Sequence, residues 1–207
     1  MSDPARRPSP AFRPGPGLRA AVALRQVGLV LALPLLLAGL WWRGRRVPLY
    51  RRHIAQRFGG GMLPAPAGCV WLLAEGPDDL RLVLPVLRGL LDRGVPVVVS
   101  HAAPEALAEG QRIFAAEMAA GRIRQGHAPF ALAPLLRRLL RRHRPRLVLL
   151  TGARVPPVLV LSVARAGLPL VRLTAVARPE PPPPGLAAVL PVGPGDTVAA
   201  LSPWLGR

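Results

Sequence analysis

The chain has 207 residues, 51% of them apolar, and a formal charge of +18 from 28 basic and 10 acidic side chains. That length suits about one domain of roughly 100–200 residues plus extensions. Every basic residue is Arg, and alongside so much Ala, Pro, Gly and Leu the excess partly reflects compositional bias. A surface this basic still attracts anionic headgroups, lipid phosphates or nucleic acid. Nucleic acid is the poorer fit, because one Tyr and four Phe cannot build a stacking platform and no binding module is recognisable. Cys69 is the only cysteine, which excludes an intrachain disulfide and argues against a cysteine-based zinc site. It opens the apolar run Cys69–Leu73 and reads as a small buried side chain.

Residues 1–19, rich in Pro and Arg, read as a disordered basic arm. Residues 20–42 read as a membrane anchor helix whose uncharged part is Val27–Trp42, ended by Trp41 and Trp42 where belt aromatics belong. A cleaved signal peptide is disfavoured, since Trp41-Trp42-Arg43-Gly44-Arg45-Arg46 stands where small residues should be. A spanning helix is short and carries Pro34; an interfacial helix with its Arg flanks on headgroups is the other reading. Arg6, Arg7, Arg13, Arg19 and Arg25 precede the stretch, and Arg43, Arg45, Arg46, Arg51, Arg52 and Arg57 follow it. The positive-inside rule thus leans only slightly towards a cytoplasmic C-terminal domain. Residues 43–68 form a basic connector; Gly59-Gly60-Gly61 within it has no following Gly-Lys-Ser/Thr and reads as a flexible joint.

From Cys69 to residue 178, short apolar runs alternate with amphipathic stretches. Cys69–Ala74, Val95–Ser100, Leu147–Thr151 and Leu168–Thr174 read as buried strands, with a short strand near Ile123. Asp79–Asp92, Pro104 to about Met118, Phe130–His143 and Val155–Ala166 read as helices. Arg137, Arg138, Arg141 and Arg142 lie on the outer side of the third, a solvated face that can also orient the domain on an anionic membrane. This alternation predicts an α/β fold, a Rossmann-like doubly wound parallel sheet behind an N-terminal anchor helix. Ligands then bind beyond the C-terminal ends of the strands, at the loops 75–79, 100–103 and 151–157. Residues 179–207, opening on Pro179-Glu180-Pro181-Pro182-Pro183-Pro184, read as a Pro-rich tail with little structure.

Asp79 stands where a strand meets a helix and is the candidate base for taking a proton from a hydroxyl. Asp78 and Asp79 also suit helix capping and the first turn, which favours negative charge. Glu75 is a second carboxylate of the same edge. His53, His101, His127 and His143 show no paired metal-ligand spacing, and only His101 falls on that edge. No Ser-His-Asp set, nucleophile elbow or dinucleotide fingerprint occurs, and no cofactor is implied.

The apolar anchor, Arg43-Gly44-Arg45-Arg46-Val47-Pro48-Leu49-Tyr50-Arg51-Arg52, and Gln56-Arg57-Phe58-Gly59 occur in an order that resembles the N-terminal domain of 3-deoxy-D-manno-octulosonic acid (Kdo) transferases. Asp79-Leu80-Arg81 leading into Leu84-Pro85-Val86-Leu87, Pro104, and Arg144-Pro145-Arg146-Leu147-Val148-Leu149 extend the resemblance over roughly residues 27–178. Such enzymes are two-domain GT-B glycosyltransferases that add Kdo from CMP-Kdo to a lipid A precursor at the cytoplasmic membrane face. The resemblance implies the acceptor-side half, with CMP-Kdo, a lipid A precursor and the anionic membrane as partners. It also implies a donor-binding domain after about residue 200, to be supplied separately.

The family's first strand ends in His-Ala-x-Ser-x-Gly-Glu, whose Glu is taken as the base. Here that stretch is Leu73-Ala74-Glu75-Gly76-Pro77-Asp78-Asp79, so the base position falls on Asp79. Glu75, Gly76, Ser100 and His101 are the matching substrate-binding candidates, Ser100-His101-Ala102-Ala103 replacing a Thr-rich loop. The family's Glu-Thr-Glu-Leu-Trp-Pro is Thr151-Gly152-Ala153-Arg154-Val155-Pro156, and its Asn-Ala-Arg is Thr174-Ala175-Val176. These departures leave a second expectation open: a non-catalytic, membrane-tethered module that binds anionic lipid or a partner protein.

Overall fold

The computed structural model describes residues 15–46, 54–60, 65–152, 154–175, 182–192 and 197–205. Six parallel strands form one sheet: β1 (Val70–Ala74), β2 (Val97–His101), β3 (Ile123–His127), β4 (Leu147–Leu150), β5 (Leu170–Thr174) and β6 (Ala188–Pro191). Their spatial order is β3-β2-β1-β4-β5-β6, so the chain reverses direction across the sheet between β1 and β4. That is the order of a doubly wound nucleotide-binding fold, as the alternation predicts.

The helices are α1 (Pro16–Arg46), α2 (Ile54–Arg57), α3 (Pro77–Asp92), α4 (Pro104–Ile113), α5 (Ala115–Ala119), α6 (Ala133–His143), α7 (Pro157–Arg165) and α8 (Thr197–Leu205). A strand covered on both faces needs apolar side chains at every position, and β1 meets that demand. Val70 and Leu72 enter one core with Leu80, Val83, Leu87 and Leu90 of α3. Cys69 and Trp71 enter the other with Leu136, Leu139 and Leu140 of α6 and Val158, Leu159 and Leu161 of α7. Each Val or Leu so buried contributes about 1.5–3 kcal/mol.

Cys69 is buried as expected. Its Sγ–H donates to the His143 carbonyl at 3.3 Å, and burial pushes the thiol up to about 11, which keeps it unreactive. Trp71 is buried with its Nε1–H donating to Ser100 Oγ at 3.0 Å. Ser100→Ala would leave that donor unsatisfied and should cost about 1–3 kcal/mol in denaturant unfolding. Adding Trp71→Phe to Ser100→Ala should then cost less than the sum of the two single changes, because the orphan donor goes with the indole.

Four sequence expectations change. The stretch 179–207 is not a tail without structure, because β6 pairs with β5 and Val198, Leu201 and Leu205 of α8 lie in the core. Ala187–Leu190 is a short apolar run behind the prolines, long enough for an edge strand; Pro191 is tolerated at its end, where no further strand needs its N–H. Arg146 of the β4 entry donates to the Leu205 carbonyl and closes α8 onto the sheet.

The Pro104–Met118 stretch is two helices, interrupted at Phe114, whose ring is buried and whose φ of −109° leaves the helical region. Gly59 and Gly60 are not a loose joint. Their N–H groups bond the carbonyls of Gln56 and Ala55 at 2.9 and 3.0 Å, and both pack on Arg138 of α6. Gly59 takes φ +69°, and a Cβ there would press to 3.1 Å from the Leu135 carbonyl oxygen. Gly61 lies outside the described residues.

Helix α1 begins at Pro16, inside the expected arm, and runs through Arg46 in the expected connector. Its most apolar eighteen-residue window has a mean hydropathy of 2.0 and is only 6% buried. Leu24, Val27, Val30, Leu31, Leu35, Trp41 and Trp42 are exposed. One end is fastened to the domain. Val22 joins the α6–α7 core, and the Gln26 amide grips the backbone at the start of α6. Its Nε2 donates to the Ala131 carbonyl and its Oε1 accepts from the Ala133 N–H, both at 2.8 Å.

Candidate active site

The loops after β1, β2 and β4 meet at the carboxyl edge of the sheet. Backbone bonds knit them together: Ala102 N–H to Ala74 O and Ala103 N–H to Glu75 O, both 3.1 Å, and Thr151 N–H to Leu73 O, 3.0 Å. Thr151 Oγ1 adds a second bond to Leu73 O at 3.2 Å. Because β1 and β4 are neighbours whose connections diverge, this edge is the topological switch point of the sheet, where such folds form their ligand crevice.

Glu75, the first residue past β1, is exposed, and its carboxylate stands over Gly152, just past β4. A Cβ on Gly152 would lie 2.5 Å from Glu75 Cδ, and the residue holds φ +90°. The backbone conformation favours glycine there, while the exposed Glu75 carboxylate could swing aside from a Cβ. The absence of Gly152 from the candidate set has a plain cause: a single Gly in a loop gives no sign of which side chain will cross it.

Two residues on, Pro77 starts α3, a first-turn position where its missing N–H costs nothing. Asp79, half-buried in that first turn, accepts the Gly76 N–H on Oδ2 at 3.2 Å. The bond fixes the carboxylate's direction, and Oδ1 has no partner among the described residues. Asp78 points to solvent. Arg81 reaches it at 3.1 Å and forms a two-pronged pair with Glu109 of α4 at 3.0 and 3.3 Å, holding α3 and α4 together beside the crevice. Such an exposed pair is worth under about 1 kcal/mol, so it orients more than it stabilises.

Of the five candidates, the structure brings Glu75, Gly76 and Asp79 together at the edge. Ser100 and His101 are fully buried at the end of β2. Ser100 accepts from Trp71, and His101 Nε2 bonds Gln125 Oε1 of β3 at 2.8 Å. Gln125 Nε2 faces Met118 Sδ at 3.1 Å, so its oxygen is turned to His101, which therefore carries its proton on Nε2. Burial lowers the His101 pKa to about 4, against a smaller opposing effect of the Gln125 bond. Both side chains shape the floor under the loops and present nothing to solvent. Among the described residues no three His, Cys, Asp or Glu side chains gather as a metal site would require.

The arrangement offers two carboxylates beside a crevice, one held by a backbone N–H and one free to move, the means to receive a proton from a bound hydroxyl. The family described as 3-deoxy-D-manno-octulosonic-acid transferase (kdotransferase) matches residues 52–180. A 3-deoxy-D-manno-octulosonic acid transferase of Bordetella pertussis is 34% identical over 146 residues, which cover 69% of this chain and 34% of that protein. The match thus spans about a third of that relative's length, and the family's range holds β1 to β5 and the loops just described. By both comparisons, the chain belongs to the Kdo transferase family, of which it carries the N-terminal type of domain.

Proposed function

We propose that these residues form the acceptor-side half of a glycosyltransferase that moves Kdo from CMP-Kdo to a lipid A precursor, working with a donor-binding half at the cytoplasmic face of a bacterial inner membrane. One observation carries the reading. Asp79, at the position of the family's base, is held by the Gly76 N–H beside the β1–β4 crevice with one oxygen open. In this role Asp79 takes the proton of the acceptor hydroxyl as that oxygen attacks the anomeric carbon, and CMP leaves with the electrons of the broken bond. Glu75, at the same edge with its carboxylate by Gly152, helps to orient the acceptor.

The acceptor carries phosphates and acyl chains, and a basic helix face and an apolar helix on the domain suit the membrane that holds it. The exposed Arg137, Arg138, Arg141 and Arg142 of α6 face outward, and the apolar α1 offers a membrane attachment. The test is Kdo transfer by membranes holding the chain, in a host whose own Kdo transferase has been removed. It is run with and without a donor-binding domain supplied as a separate polypeptide. Transfer in either arm supports the reading. No transfer in both favours a membrane-tethered module that binds anionic lipid without catalysis.

A further inference from the structure

We infer that α1 enters only one leaflet of the membrane, with both of its ends on the face where the domain sits, and does not cross the bilayer. This rests on the membrane reading above but not on sugar transfer. The first support is where the chain is fastened. Gln26 holds the backbone of Ala131 and Ala133 through two 2.8 Å bonds, so the start of the apolar stretch is against the domain. The chain is fastened again just after the helix. Gln56 Oε1 accepts the His127 N–H and the Arg57 carbonyl accepts the Phe130 N–H, both at 2.9 Å. Both fastenings therefore fall within residues 127–133 of the domain.

The path of the chain after the helix then decides between topologies. From Val27 to Arg46 the helix rises about 30 Å, at 1.5 Å per residue, which matches a hydrocarbon core of about 30 Å. If α1 crossed with Gln26 on the domain side, Arg46 would emerge on the far face. Residues 47–53 would then have to return through the bilayer, where the eight Cα steps from Arg46 to Ile54 reach about 29 Å only when fully extended. They would also carry Arg51 and Arg52 through hydrocarbon. If α1 crossed in the opposite sense, with Arg46 on the domain side, Gln26 would lie about 30 Å away across the bilayer, out of reach of Ala131 and Ala133.

Three further features fit a helix sunk into one leaflet. Arg19 and Arg25 before the apolar stretch and Arg43, Arg45 and Arg46 after it leave no asymmetry for a crossing, but suit two ends at one anionic surface. Trp41 and Trp42 lie at one end, with the Arg45 guanidinium 4.2 Å from the Trp41 ring centre, an arrangement of the headgroup layer. Pro34 sits at the midpoint of Val27–Trp42, where a removed backbone bond lets the middle of the helix bend inward while its ends stay at the surface. The stretch is apolar all round, so it sinks beneath the headgroups instead of floating half-exposed.

Gly17→Cys and Arg46→Cys test the inference, each in the full chain in an inner membrane; both sites are exposed, and buried Cys69 stays silent. A membrane-impermeant maleimide is applied to right-side-out spheroplasts and to inverted vesicles. Both cysteines should react from the same side and be protected from the other. Reaction of one from each side would establish a crossing and overturn the inference, whatever the protein's activity. Recovery of the chain in the soluble fraction would overturn it as well. Should Arg46→Cys fail to accumulate, Arg45→Cys reads the same end.

Discussion

Asp79→Asn is expected to lower Kdo transfer by about 10²–10⁴-fold, the usual contribution of a positioned general base. The substitution separates two jobs that Asp79 holds at once. As the third residue of α3 it accepts the Gly76 N–H, and the Asn carbonyl oxygen can still do so. Folding should therefore be nearly unchanged in Asp79→Asn, whereas Asp79→Ala should lose about 0.5–2 kcal/mol through the missing cap. Asp79→Glu restores the residue that the family pattern places here and should keep transfer. Rates are compared in membranes with the donor-binding domain present, and stabilities by denaturant unfolding in detergent. If Asp79→Asn transfers as well as the unaltered chain while Glu75→Gln does not, the base is Glu75, reaching over Gly152 from the end of β1.

The sheet was open to sequence reading where physics leaves one option. A run such as Val97-Val98-Val99 can be buried on both faces only in the middle of a parallel sheet, and β2 lies there. The Leu spacing of α6, with Arg on the other side, allows one orientation, and Leu136, Leu139 and Leu140 are inside. The same two-sided burial concealed the roles of Ser100 and His101. In a strand with no solvent face, position does not say whether a polar side chain meets a ligand or a partner inside. Ser100 found the Trp71 indole and His101 found Gln125, both on strands distant in sequence.

Strand β6 and helix α8 were hidden for another reason: their short apolar runs stand between Pro- and Gly-rich segments, so the surrounding composition outweighed a pattern that only the core completes. Gln26 did leave a sign, a lone amide inside an apolar helix. Its partners, more than a hundred residues away, could not be read from it. Asp79 is a candidate from its place in a motif alone, and what the structure adds is its bond from the Gly76 N–H at the start of α3.

Mild acid should destabilise the domain through two buried histidines. His101 and His143 are both buried and neutral, and burial lowers both from 6.5 to about 4, with nearby Arg142 adding to the effect at His143. His143 Nδ1 accepts the Ala65 N–H at 3.2 Å, so a proton there would break that bond as well as bury a charge. The unfolded chain takes up these protons near pH 6.5 and the folded protein only near pH 4, so the unfolded state binds more protons throughout that interval. Stability is therefore complete above about pH 6.5 and falls with pH, each histidine removing about 2 kcal/mol by pH 5 and about 3 kcal/mol by pH 4.

Ordinary carboxylates titrate near pH 4, so the upper part of that window belongs to the histidines. Against a total of about 5–15 kcal/mol for a domain, a loss of about 4 kcal/mol at pH 5 is large. Denaturant midpoints measured from pH 7.5 to pH 5 should show it. His143→Gln, whose amide oxygen can take the Ala65 N–H, should show roughly half the slope, and a flat profile for the unaltered chain would mean that these rings are protonated, or reached by water, in the folded protein.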